Sequence, residues 1–265
     1  MSSVLLDLGI IEIKWYSFFI MVAVIVACIL IEKEAKKKEV PQDYLTNLIF
    51  YGIIIGIIGA RFYYVLFNLN YYLKNPIEIL MIWEGGLAIH GGIIATLLFL
   101  IIYSKKERIN TLLMTDIIAV GLIIAQSIGR WGNFFNREAY GRIVSLTFLK
   151  KMHLPNFIIK GMYINGYYRE PTFLYESVLS LIGFIILCIL RKNKNLKTGQ
   201  ITGIYLIWYG IERGIIEIFR SDSLMISFLK ITQLVSIVFI ICGIYFVQKN
   251  RKTNKYYKKE KAIIN

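Results

Sequence analysis

The chain has 265 residues, of which 57% are hydrophobic and 18% charged, and 31 Lys and Arg against 17 Asp and Glu give a net charge of +14. Ordinary soluble domains are about 45–50% apolar and about 25% charged, so soluble globular, disordered, collagen-like and coiled-coil classes are excluded. A basic balance on so apolar a chain points away from nucleic acid and toward a membrane protein with Lys- and Arg-rich cytoplasmic loops.

A bilayer span needs about 20 mostly apolar residues. Seven such runs are predicted, at 15–31, 45–67, 87–103, 112–128, 172–190, 200–219 and 228–247. The first opens on Trp15-Tyr16. Asp7 and Glu12 precede it, rather than a basic stretch, and no small-residue cleavage site follows, so it reads as a span and not as a cleavable signal peptide. The second carries Arg61 in its outer half, which calls for an acidic partner. The third holds His90 near its start, in WEGGLAIHGG (83–92). The fourth has Asp116 near its inner end and runs into GRWGNFFNREAYG (129–141). An arm at 142–170 follows, too short for an independent domain. The fifth span begins at PTFLYES (171–177), and the sixth carries YGIERGIIEIFR (209–220). The tail 249–265 is basic and separates from a single membrane domain at 1–248.

Lys and Arg between the spans give the orientation. The segments 32–44, 104–111, 191–199 and 248–265 carry four, three, four and seven. The alternate segments are poorer: one up to Lys14, one in 68–86, and seven spread over the 43 residues of 129–171. The positive-inside rule then puts the N-terminus outside and the C-terminus in the cytoplasm. The expected fold is therefore an all-α membrane protein of seven transmembrane helices with a small extracytoplasmic arm. Cys28, Cys188 and Cys242 lie in apolar runs with no CxxC, and His90 and His153 form no HExxH. Disulfide scaffold, zinc ribbon and zinc protease are all unsupported.

An ionisable group inside a span costs about 2.5–3.5 kcal/mol on insertion scales, so each marks a functional candidate. With this topology Tyr16, His90, Arg130, Glu176 and the charges of 209–220 all fall in the outer third of the bilayer, with Asp116 the exception. Tyr209, Arg213, Glu217 and Arg220 share one helix face, and Arg213 can pair with Glu217 at i,i+4. Arginine keeps its charge when partly buried and forks onto phosphate, so Arg130 and Arg213 read as a clamp for a phosphate head group. A transporter would also have buried charges, but it would place them along a path through the bilayer.

The elements GGLAIHGG (85–92), GRWGNFFNREAYG (129–141), PTFLYE (171–176) and YGIERGIIEIFR (209–220) occur together in the order found in bacterial prolipoprotein diacylglyceryl transferases, and the chain resembles that family over nearly its whole length. The most specific element fits G-R-x-G-N-F-x-N-x-E-x-x-G. The resemblance implies transfer of a diacylglyceryl group from phosphatidylglycerol to the lipobox cysteine thiol of a prolipoprotein signal peptide. A thioether forms and glycerol phosphate leaves. It also implies a multi-pass protein of the bacterial cytoplasmic (inner) membrane, among membrane lipids, with its active site toward the outer leaflet and no nucleic-acid partner. The positions carried over are Tyr16, His90, Arg130, Asn133, Glu138, Gly141, Tyr209, Arg213, Glu217 and Arg220. One departure is Phe173, where the family commonly has glutamine, so no role of that glutamine transfers.

The chemistry has three requirements. The attacking thiol must lose its proton, since free cysteine has a pKa near 8.5; His90 is a candidate base, and arginine-assisted activation is the alternative. The leaving phosphate needs cationic stabilisation, which Arg130 and Arg213 can give. Both substrates must be held in line, a task for Tyr16, Asn133, Glu138 and Tyr209. None of these steps calls for a metal or redox cofactor.

Overall fold

In hydrocarbon an apolar run satisfies its own backbone N–H and C=O groups only as a helix, and helices dominate the computed structural model, which describes residues 4–7, 9, 12–221, 225–226 and 229–256. In chain order the elements are β1 (Val4–Asp7), β2 (Glu12–Lys14), α1 (Trp15–Lys37), α2 (Gln42–Phe67), α3 (Leu69–Tyr72), α4 (Ile89–Lys106), α5 (Thr111–Asn136), α6 (Leu146–Lys151), α7 (Asn156–Gly161), β3 (Tyr163–Ile164), β4 (Tyr167–Tyr168), α8 (Thr172–Leu190), α9 (Gln200–Phe219), β5 (Met225–Ile226), β6 (Leu229–Lys230) and α10 (Ile231–Lys249). Two short 3-10 turns, Pro76–Leu80 and Ile82–Glu84, lie between α3 and α4. The strands pair as three small antiparallel hairpins, a feature the all-α expectation did not contain. In the second of them Asn165 and Gly166 both have positive φ, 52° and 83°, the backbone that a tight two-residue hairpin turn requires.

Among the described residues, six helices are long and apolar enough to cross a membrane: α1, α2, α4, α5, α8 and the stretch Thr232–Lys252, which overlaps α10. The remaining predicted run is present as the 20-residue helix α9. It falls outside that set because Glu212, Arg213 and Glu217 interrupt its apolar surface.

The described residues divide into two compact units, Glu32–Met114 being one and the residues up to Ile31 together with Thr115–Tyr256 the other. Within Glu32–Met114, α2 and α4 pack through glycines. A Cβ on Gly91 would stand 2.3 Å from the carbonyl oxygen of Gly59 and from Tyr63 Cβ, so only glycine permits this approach. Buried Tyr44 and Ser104 share a hydrogen bond of 2.6 Å. Arg61 is buried, and its partners among the described residues are backbone carbonyls rather than the acidic side chain expected from the sequence. Carbonyl dipoles can replace a carboxylate when enough of them converge on one guanidinium.

In the other unit, α9 and α10 meet at Gly203 and Gly243, where added Cβ atoms would lie 2.8 and 2.6 Å from the opposing carbonyl oxygens. Trp208 of α9 donates its indole N–H to Leu179 O of α8 at 3.1 Å. The arm closes over a core of Phe134, Leu149, Ile158, Ile159, Met162, Ile164 and Phe173, which joins it to the end of α5 and the start of α8.

Asp116, the exception to the outer clustering of polar residues, is fully buried. Its carboxylate accepts from Gly199 N at 2.6 Å, Thr202 N at 2.8 Å and Thr202 Oγ1 at 2.7 Å. It thus caps the first turn of α9 from another helix, satisfying backbone donors that α9 cannot satisfy itself, and this gives it a structural role without any conducting path. Asp116→Ala would leave these buried donors unmet, at about 2–4 kcal/mol. The expected result is a clearly lower unfolding midpoint in detergent, and an unchanged midpoint would refute the capping role.

The described part of the basic tail is not simply solvated. Thr198 N donates to Asn254 O at 2.9 Å, Tyr256 N donates to Leu196 O at 2.7 Å, and Tyr256 is buried. Residues beyond 256 lie outside the described part.

Candidate active site

Helical spacing puts Arg213 and Glu217 one turn apart on α9, and the structure pairs them, with Arg213 Nη2 3.6 Å from Glu217 Oε2. The expected i,i+4 ion pair is therefore present, at a length beyond a hydrogen bond. The stronger partner of Arg213 comes from α8, where Glu176 Oε2 accepts from Arg213 Nη1 at 2.9 Å. The same oxygen lies 2.7 Å from Arg130 Nε of α5. One carboxylate oxygen thus joins the two arginines that the sequence nominates as a phosphate clamp. The Glu176 side chain is 1% exposed, against 20% for Arg130 and 12% for Arg213. The acid is sealed, while part of the Arg130 side chain stays exposed.

Sequence reasoning did not select Glu176 as a site residue. The signal was available: it is the only charged residue between 171 and 190, and a buried arginine needs a counter-charge. Glu212 was also passed over. It is buried, and Ser180 Oγ of α8 donates to its Oε1 at 2.7 Å. Glu176 Oε1, Glu212 Oε2 and Glu217 Oε2 are buried with no hydrogen-bond partner among the described residues. Three carboxyl groups therefore face two guanidiniums across α5, α8 and α9.

The other nominated residues of this unit lie on α1, on the same helices or on the segments next to them. Tyr16 of α1 packs on α5 at Gly132, where a Cβ would meet its ring carbon Cδ2 at 3.0 Å. Asn133 lies one turn after Arg130 on α5, and Tyr209 one turn before Arg213 on α9. The Tyr209 ring stacks on Tyr205 at 6.1 Å and meets Phe239 edge-on at 5.5 Å. Glu138 is exposed just past the end of α5, beside Asn136 Nδ2 at 3.5 Å. Gly141 forms an antiparallel bridge with Arg220. Lys230 Nζ donates to the carbonyls of Glu217 and Arg220, a cation at the C-terminal end of α9 where the helix dipole favours one. His90 lies in the other unit, exposed on the first turn of α4, with its ring 6.3 Å from that of Tyr63.

Two arginines from separate helices meet on one buried carboxylate, an arrangement that does not by itself name a reaction. Comparison with known proteins supplies the family. The prolipoprotein diacylglyceryl transferase family profile matches residues 3–248. The chain belongs to the prolipoprotein diacylglyceryl transferase family. It is 46% identical over 258 residues to the phosphatidylglycerol–prolipoprotein diacylglyceryl transferase of Streptococcus uberis, covering 96% of this chain and 98% of that one. It is 47% identical over 239 residues to the protein of that name from Staphylococcus haemolyticus, covering 90% and 84%. Against that from Streptococcus mutans it is 44% identical over 260 residues, covering 97% and 99%.

Two features of this diacylglyceryl transferase family member now have a structural account. At Gly141 a Cβ would stand 2.8 Å from Glu170 Cβ and 3.0 Å from both Glu170 O and Thr172 Cγ2. There the segments around 141, 170 and 220 cross, tied by Gly141 N donating to Glu170 O at 2.9 Å and Arg142 N donating to Phe219 O at 3.1 Å. Gly141 therefore fixes the root of the arm by its lack of a side chain. Phe173, in place of the commoner glutamine, is 2% exposed and belongs to the core of the arm. It stacks on Phe134 at 4.6 Å and meets Trp131 edge-on at 5.4 Å, so an apolar ring fills what would otherwise be a costly place for an unpaired amide.

Proposed function

We propose that this chain is a phosphatidylglycerol–prolipoprotein diacylglyceryl transferase, which moves the diacylglyceryl group of phosphatidylglycerol to the lipobox cysteine of a prolipoprotein signal peptide. Membership of the family and the names of relatives that share nearly the whole chain support the activity. The observation that carries the mechanism is the pair Arg130 and Arg213 on Glu176. The cysteine sulfur attacks the glycerol carbon that bears the phosphate ester, a C–S bond forms, and the C–O bond to phosphate breaks. Glycerol phosphate leaves with the bonding electrons. Arg130 and Arg213 stabilise that developing charge, and Glu176 holds both guanidiniums in position before substrate arrives, so little reorganisation is needed. His90 takes the thiol proton. Tyr16, Asn133, Glu138, Tyr209, Glu217 and Arg220 bind the head group or orient the arginines.

In this reading α9 is the seventh span. Its 20 residues reach about 30 Å, the thickness of a hydrocarbon core, and its charges face α5 and α8. The Lys and Arg distribution supports an outer N-terminus and a cytoplasmic C-terminus in the bacterial cytoplasmic membrane, with the chemistry at the outer leaflet.

The test is direct. The purified full chain in mild detergent is mixed with phosphatidylglycerol and a synthetic lipobox peptide, and the peptide is followed by intact mass. A gain of one diacylglyceryl unit is expected, absent with a Cys→Ser peptide. No gain from folded protein, across several phospholipid donors, would overturn the proposal.

A further inference from the structure

Arg61 is an arginine that the mechanism does not use, and its surroundings explain what it does. It lies about three-quarters of the way along α2 and is 7% exposed. A guanidinium carries five N–H donors, and five carbonyls of the segment that leads into α4 receive them. Nε donates to Ile79 O at 2.9 Å; Nη1 donates to Gly85 O at 2.7 Å and Gly86 O at 3.1 Å; Nη2 donates to Met81 O at 3.4 Å and to Glu78 O. The Tyr72 ring lies over the guanidinium, 5.3 Å from Cζ. With its donors committed, Arg61 is not a phosphate ligand.

Apart from Arg61 the segment has few ties, among them Tyr71 OH donating to Glu78 Oε2 at 2.7 Å. Between α3 and α4 there are only two short 3-10 turns, and Ile77, Leu80 and Trp83 are exposed. The segment ends two residues before His90. Next to Arg61 on α2, Ala60 O accepts from Ala88 N at 3.0 Å, at the residue that opens α4. Gly86, at φ +70°, has no room for a side chain: a Cβ would stand 2.5 Å from Arg61 Nη1 and 2.8 Å from the Tyr64 ring. The glycines before His90 thus serve the guanidinium, which in turn fixes the backbone from which His90 projects.

We propose that Arg61 is a positioning residue for His90, setting the start of α4 through the carbonyls of residues 78–86. The proposal rests on the reading that His90 acts in the transfer. Lysine, a point charge with three donors, cannot reproduce five contacts in a fixed fork. A displaced catalytic group can cost about 10²-fold in rate.

The experiment compares full-length parent, Arg61→Lys, Gly86→Ala, His90→Gln and the double variant Arg61→Lys/His90→Gln, each checked by its unfolding midpoint. The readouts are kcat and KM with phosphatidylglycerol and lipobox peptide. Arg61→Lys should lower kcat by about 10- to 100-fold, with KM changed by less than about threefold. Gly86→Ala breaks the same clamp from the loop side and should reproduce that pattern. The double variant should be no slower than His90→Gln alone, because residues that act as one unit do not add their losses. Losses that multiply would overturn the positioning role of Arg61 while leaving His90 in place. Near-normal turnover by His90→Gln would remove His90 from the mechanism, and the proposal with it. If Arg61→Lys does not fold, Gly86→Ala alone and paired with His90→Gln decides, and parent-like kcat in Gly86→Ala overturns the proposal.

Discussion

Arg130→Lys is expected to lower transfer turnover by about 10²–10³-fold, the usual cost of removing one preorganised donor from a site of developing negative charge. The geometry explains why the conservative change should fail. Arg130 reaches Glu176 through Nε at 2.7 Å, and its side chain is 20% exposed. Lysine has a single ammonium, which can sit on Glu176 or meet a phosphate but cannot hold the bidentate arrangement. The measurement is single-turnover conversion of a lipobox peptide at saturating phosphatidylglycerol, where binding differences drop out. The unfolding midpoint should change little, because the lysine can still pair with the acid. Turnover within a factor of three of the parent would remove Arg130 from the list of groups that stabilise the leaving phosphate.

Glu176→Ala is expected to be worse for the protein as a whole, costing about 3–5 kcal/mol, because removing one partner of a buried ion pair strands the charge left behind. Here two charges lose their closest partner, since one oxygen of Glu176 holds both Arg130 and Arg213, and Arg213 keeps only Glu217 at 3.6 Å. Folding free energies are typically only about 5–15 kcal/mol, so this is a large fraction of the total. A markedly lower unfolding midpoint in detergent is therefore expected, together with loss of transfer. Glu176→Gln should recover part of the stability, since an amide oxygen still accepts from a guanidinium, while remaining slow because Arg130 loses the counter-charge of Glu176 and Arg213 keeps only the longer contact to Glu217. Glu217→Gln provides the contrast. Its contact with Arg213 is 3.6 Å, so a smaller stability loss is expected. Equal midpoints for Glu176→Ala and the parent would show that the arginines do not depend on this acid.

The helices were legible in the sequence because their cause is local. An apolar run of about 20 residues carries its own instruction, as helix formation pairs its backbone groups whatever surrounds it. The pairing of Arg213 with Glu217 was legible for the same reason, since four residues on a helix fix the neighbour. The phosphate-clamp candidates Arg130 and Arg213 could be named from cost alone, because charge in an apolar run demands a function or a partner. The short hairpins were missed because their strands have two to four residues, too few for any alternation to show.

What the sequence could not assign was which group answers which. Arg61 was expected to find an acid and instead donates to carbonyls of residues 78–86. Asp116 looked like a misplaced charge and is the cap of a helix that begins 84 residues later. Phe173 looked like a departure from the family and fills the core of the arm. Glu176 could be placed among the outer polar residues but not given a partner, and it is the shared counter-ion of two arginines. By itself the sequence determined the class of the protein, the helices and the family, all properties of contiguous residues. Only the tertiary structure decided the partners, because a partner depends on which side chains helix packing brings within about 3 Å, the range over which hydrogen bonds and close ion pairs act.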